Sequence, residues 1–186
     1  MVKLGFFHIP KTGGTYARTI IDKFDIKYYY HNLPTGDEPE ITFTIIRHPI
    51  ERFESFLNYI LQEGTPRETF PDKLCWMYRD KSVTLDEMVR TMTDDELMIL
   101  TGVGYNKLVE WDKVNHKFTI EGLKPFLNSH GYHYTDIHKI NVSRKERGQF
   151  SSDTKERLEI LFKEDIDYFK TRQHCHLHWF EGQHQH

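Results

Sequence analysis

Leu4-Gly5-Phe6-Phe7-His8 is a short apolar run closed by Pro10 and the pair Gly13-Gly14, the pattern of a buried parallel strand that feeds a loop. From Thr15 to Phe24 the apolar positions Ala17, Ile20, Ile21 and Phe24 share one helical face. Asp25 to Tyr30 predicts a second strand, and Asn32 to Pro39, with two prolines and a glycine, a surface loop. Ile41 to Ile46 consists of β-branched residues and one aromatic, a content that favours a pleated surface, and is the clearest strand in the chain. Pro49 then suits a helix start, and Ile50, Phe53, Phe56, Leu57 and Ile60 supply that helix with a buried face. Polar, Met-containing sequence from Thr65 to Gly104 predicts helical pieces, one opening at Thr84-Leu85-Asp86-Glu87 and another spanning Asp94 to Leu100. Ile120 to Ser129 reads as helix and Asp136 to Val142 as a returning strand. Asp153-x-x-Glu156 reads as the cap of a last helix whose apolar stripe is Leu158, Leu161, Phe162, Ile166 and Phe169. The order of elements predicts an α/β fold: a three-layer sandwich with a central, mainly parallel sheet.

Composition narrows this picture. With 186 residues, 38% of them hydrophobic and 13 Phe, 10 Tyr and 3 Trp among them, the chain has material for one core, which is expected to span residues 1–172. Residues 173–186 form a His-rich tail of different character. A net charge of −3 supplies no global attraction to nucleic acid or anionic membrane, so any phosphate site must be a local arrangement. Cys75 and Cys175 have no CxxC spacing, which predicts neither a disulfide framework nor a zinc ribbon and fits a reducing compartment. The apolar stretch at the N-terminus meets His8 and Pro10 too soon for a signal core or a membrane span, which predicts a cytoplasmic protein without membrane insertion.

Candidate chemistry begins at Pro10-Lys11-Thr12-Gly13-Gly14-Thr15, a P-loop-like phosphate-binding element between strand and helix. Two glycines let successive N–H groups face inward, the helix adds its positive end, Lys11 adds a charge, and Thr12 and Thr15 add hydroxyls. It departs from the GxxxxGK[ST] loop of nucleotide kinases, because Lys11 precedes the glycine pair instead of following a glycine. Moreover, the strand Ile41 to Ile46 ends in Arg47, where a metal-dependent phosphoryl transferase needs a carboxylate. Arg47 at a strand end and Ser55 two helical turns on form a second anion-binding pattern within Arg47-His48-Pro49-Ile50-Glu51-Arg52-Phe53-Glu54-Ser55. Arg52 fits either that site or an ion pair with Glu51 or Glu54.

In these two motifs the chain resembles the carbohydrate-type sulfotransferases, among them the heparan sulfate O-sulfotransferases, which use 3′-phosphoadenosine-5′-phosphosulfate (PAPS). His8-Ile9-Pro10-Lys11-Thr12-Gly13-Gly14-Thr15 is similar to that family's 5′-phosphosulfate segment, and Arg47 through Ser55 to its RxPxxRxxS pattern. More loosely, His138-Lys139-Ile140-Asn141-Val142-Ser143 resembles its Asn-x-Ser stretch; the resemblance hardly covers residues 62–117. The resemblance implies that Lys11 contacts the bridging oxygen of the donor. It also implies that Pro10, Thr12, Gly13, Gly14, Thr15 and Tyr16 surround the 5′ group, and that Arg47 and Ser55 hold the 3′-phosphate. Ser143, Arg144 and Lys145 would close over the nucleotide, or else form a solvated basic turn. The implied acceptor is a hydroxyl, on a glycan in preference to tyrosine or a small molecule. No metal and no nucleic acid is called for. The alternatives are a P-loop-type nucleotide kinase and a non-catalytic domain that binds phosphorylated or sulfated ligands.

Sulfuryl transfer to a hydroxyl needs a base, and His31 follows the second predicted strand, at the carboxyl edge of a parallel sheet where ligands bind. The family often places a catalytic His or Glu there, and Asp37 and Glu38 are competing bases nearby. The run Tyr28-Tyr29-Tyr30 is expected to pack in the core, and the irregular spacing of His174, Cys175, His176, His178, His184 and His186 argues against a structural metal site.

Overall fold

A computed structural model of the chain describes residues 2–30, 34–63, 84–102, 108–135 and 149–181, without the side chains of 60–63, 99–102, 109–110 and 173–181. The described residues fall into two compact units. The first comprises Met1–Arg47, Leu108–Asn141 and Glu164–His186, and the second His48–Lys107 and Val142–Lys163.

The first unit is built on four parallel strands, β1 (Leu4–His8), β2 (Ile26–Tyr30), β3 (Ile41–Ile45) and β4 (His116–Phe118), in the order β2-β1-β3-β4. Parallel strands covered on both faces read as continuous apolar runs, and β1 is buried at all five positions. Its alternate residues feed two cores. Leu4 and Phe6 join Ala17, Ile20, Ile21, Phe43, Ile45, Phe118, Leu123 and Phe126 on one face. Phe7 and Ile9 join Ile46, Leu108, Trp111, Val114 and Phe169 on the other. Helices α1 (Gly14–Ile21) and α5 (Leu123–Ser129) cover the first face; a 3₁₀ turn (Leu108–Trp111) and α7 (Lys163–Glu181) serve the second. The expected three layers and parallel sheet are therefore present in this unit.

A β-carbon at Gly5 would lie 3.1 Å from Tyr29 Cε2 and 3.2 Å from Pro39 Cδ, so Pro39, two residues before β3, passes close to β1 at a residue without a side chain.

β4 has no counterpart among the sequence-based expectations. It is three residues long, and a polar latch secures its approach: Asn115 Oδ1 accepts from the Thr42 amide and hydroxyl, both at 2.8 Å. The strand expected at 136–142 lies outside the described residues.

In the second unit, α2 (Pro49–Glu63) begins at Pro49 as its fixed φ favours, and buries Ile50, Phe53, Phe56 and Leu57. Two short helices follow, α3 (Leu85–Thr91) with a full Thr84/Glu87 capping box, and α4 (Asp94–Gly102). The last predicted helix is corrected in two respects. Its cap is Ser151, whose hydroxyl accepts from the Thr154 amide, in place of Asp153. It is also two helices, α6 (Ser152–Leu161) and α7, separated at Phe162. The apolar stripe is divided accordingly: Phe162 packs edge-on against Phe53 in the second unit, while Phe169 joins the core around Phe7 in the first. α7 runs on to Glu181, beyond residue 173 where a separate tail was expected. No helix among the described residues is long and apolar enough to cross a membrane.

Candidate functional site

Strand order sets where a ligand can enter. The chain leaves β1 toward β2 on one side and returns to β3 on the other, so the carboxyl ends of β1 and β3 form a topological switch point. Lys11 follows the first of these ends and Arg47 the second. Both are partly exposed.

Between β1 and α1 the backbone turns through two left-handed residues, Lys11 at φ 62° and Gly13 at φ 98°. Glycine adopts this region freely, whereas a lysine there carries about 1–2 kcal/mol of strain. Lys11 is the only described non-glycine residue with positive φ. Thr12 is buried and its hydroxyl donates to the Ile9 carbonyl at 2.8 Å, so its single proton is used to close the turn. Gly13 caps α1 without a side-chain hydrogen bond, and no acidic residue occupies the first turn. With a glycine cap and no acidic residue in its first turn, the start of α1 brings neither a capping side chain nor a carboxylate of its own to its amides, an arrangement that favours an anion there. Thr15 is exposed beside them; Tyr16 packs its ring against the first core, leaving its backbone to the turn.

Beneath the turn lies His8, the last residue of β1. A β-carbon at Gly14 would come within 1.9 Å of His8 Cδ2 and Nε2, so the imidazole edge fills the space that any other residue at 14 would need. Its Nδ1 is 2.6 Å from the hydroxyl of Tyr28 on β2. Burial pushes the Tyr28 phenol up to about 12, against the opposing effect of Arg18, whose guanidinium lies 5.1 Å from the ring centre. Sequence reading assigned Tyr28, Tyr29 and Tyr30 alike to the core. Tyr28 and Tyr29 are half-buried, but Tyr30 at the end of β2 is 57% exposed and meets His8 edge-on at 5.5 Å.

Past β3, Ile46 extends the ladder by donating to Phe118 O at 2.8 Å, and Arg47 follows as the sheet ends. On α2, Arg52, Ser55 and Asn58 form a buried polar stripe at spacings of three. Arg52 is only 2% exposed, so its side chain lies within the second unit. Asn58 Nδ2 donates to Glu54 O at 3.1 Å, and its buried Oδ1 has no hydrogen-bond partner among the described residues.

Of the competing bases, Glu38 is committed to its own turn. It accepts from the Thr35 and Gly36 amides, and the Thr35 amide above all holds its carboxyl below the usual carboxylate range. Such a carboxylate is a poor proton acceptor near neutral pH. Asp37 is exposed in the same loop. His31, Ser143, Arg144 and Lys145 lie outside the described residues, as do His184, His186 and the side chains of His174, Cys175, His176 and His178. Reading by motif found the turn and its cation but passed over Tyr28, whose only trace in the sequence is a tyrosine in register with Phe6.

Comparison with known protein families, with characterised proteins and with solved structures returns no match.

Proposed function

We propose that this chain is a PAPS-dependent sulfotransferase acting on an acceptor hydroxyl, with a carbohydrate as the favoured acceptor. The observation that carries the reading is Lys11 itself, a lysine held in a left-handed conformation at the switch point and followed by a helix start whose cap, Gly13, brings no side-chain hydrogen bond. Strain of this kind persists where a side chain must be aimed. In this reading the amides from Gly13 onward receive the 5′-phosphate and Lys11 reaches the bridging oxygen. Arg47 takes the 3′-phosphate. The acceptor oxygen forms a bond to sulfur as the bond from sulfur to the bridging oxygen breaks. The electron pair leaves on the 5′-phosphate, where Lys11 stabilises it, and the acceptor proton passes to the base, assigned to His31.

A kinase reading is less well supported. Ile45-Ile46-Arg47 presents a cation where magnesium chemistry needs a carboxylate.

Thermal shift separates the readings. The donor reading expects 3′-phosphoadenosine-5′-phosphate (PAP) to raise the melting temperature without metal, and ATP with magnesium to leave it unchanged. Transfer of labelled sulfate from PAPS across glycan, tyrosyl-peptide and small-hydroxyl acceptors then distinguishes an enzyme from a binder. Lys11→Ala should abolish transfer, and Arg47→Ala should weaken PAP binding by about 10- to 100-fold. Stabilisation by ATP and magnesium alone would sink the proposal.

A further inference from the structure

Resting on the donor reading, we infer that Tyr28 is a positioning residue for the turn after β1. Its hydroxyl donates to His8 Nδ1, fixes the imidazole as the Nε2–H tautomer, and thereby holds the ring edge against Gly14 and the turn in its anion-receiving shape.

Three contacts carry this. The phenol keeps its proton across the neutral range because burial raises its pKa to about 12, and His8 Nδ1 stands 2.6 Å from its oxygen. A neutral imidazole whose Nδ1 accepts carries its proton on Nε2. The Cδ2–Nε2 edge is the one that excludes a β-carbon from Gly14, the first residue of α1. Any rotation of the imidazole therefore shifts the amides of that first turn. Tyr28 is itself braced by Arg18 of the same helix and by Phe6 at 5.8 Å, so β1, β2 and α1 meet at one phenol. Asp22, which is ion-paired with Arg18, and Tyr30 are the other titratable groups acting on it. Neither Tyr28 nor His8 is asked to touch the reacting atoms.

Tyr28→Phe keeps the ring, its packing and the Arg18 contact while removing only the hydroxyl. Calorimetric titration with PAP is expected to show about tenfold weaker binding. Adenosine 3′-phosphate, which lacks the 5′ group, should lose less than about twofold. In the wild type, ¹⁵N spectra of His8 should show a protonated Nε2 and an unprotonated Nδ1. Unchanged PAP affinity in the variant, equal loss for both nucleotides, or a proton on Nδ1 would each overturn the inference and leave the donor reading standing. A wild type that binds neither nucleotide overturns both. Should Tyr28→Phe unfold the chain, the wild-type tautomer decides alone.

Discussion

His8 occupies the space that a side chain on Gly14 would need: a β-carbon there would lie 1.9 Å from both Cδ2 and Nε2 of the imidazole. Gly14→Ala is therefore expected to destabilise the chain by about 3 kcal/mol, because either the ring or the start of α1 must move. The double variant His8→Ala/Gly14→Ala vacates the space and should recover at least half of that loss in a denaturant titration. Strict additivity of the two single effects would contradict the contact.

Lys11 offers a way to separate backbone from side chain. Lys11→Ala removes the ammonium but keeps a β-carbon at φ 62°, whereas Lys11→Gly removes both. The glycine variant should melt about 2–4 °C above the alanine variant, reflecting about 1 kcal/mol of relieved strain. Neither should transfer sulfate. A residue retained at a cost to stability for its chemistry behaves in this way.

Burial brings Lys117 on β4 down to about 8, an effect that Arg172 reinforces and the nearby Asp112 opposes. Its folded value is thus below the unfolded one of 10.5, and between these limits the unfolded chain binds the additional proton. This group's penalty is complete below pH 8 and is relieved as pH rises toward 10.5. Comparing wild type with Lys117→Met by chemical denaturation at pH 7, 8.5 and 10 tests this. The variant's relative stability should decline across the series. A constant difference would mean that Lys117 titrates normally. Tyr28 and Tyr168, both raised to about 12, act in a higher window.

In the second unit, a single guanidinium joins three chain segments. Arg157 donates to Val89 O and Met92 O, each at 2.8 Å, where α3 ends, and to Asp94 Oδ1 at the start of α4. Arg157→Met keeps the stem but removes the hydrogen bonds to both carbonyls, leaving Val89 O with the Met92 amide at 3.3 Å, at an expected cost of about 2 kcal/mol. Because its ion pair is largely exposed, Asp94→Asn should cost only about 0.5 kcal/mol. Urea unfolding of the two variants checks the ranking.

Elements with a strong local cause were legible in the sequence. β1, β3, the start of α2 at Pro49 and the Thr84/Glu87 box all follow from short-range pattern. β4 was not, because three residues carry no period and Asn115 is secured by Thr42, 73 positions away. The division of α6 from α7 was hidden because neither Gly nor Pro marks it. The acidic first turn of α7, Glu164 and Asp165, was the available cue, and Asp165 in fact accepts from the Leu108 amide. In the candidate site, motif reading located Lys11, Gly13, Gly14 and Arg47. It could not foresee that the Thr12 hydroxyl turns inward to Ile9, or that a tyrosine on the next strand supports His8.

The assignment of Phe169 to the core around Phe7 bears on biosynthesis. Phe7 and Ile9 are made first, and the helix that covers them is made after residue 162. Throughout the interval a ribosome-bound chain lacks the cover of α7 over that sheet face, and Phe7, Ile9 and Ile46 have only the Leu108–Trp111 turn, once it is made, to shield them from water. Nascent chains halted before α7 are thus the form of this protein most in need of a chaperone.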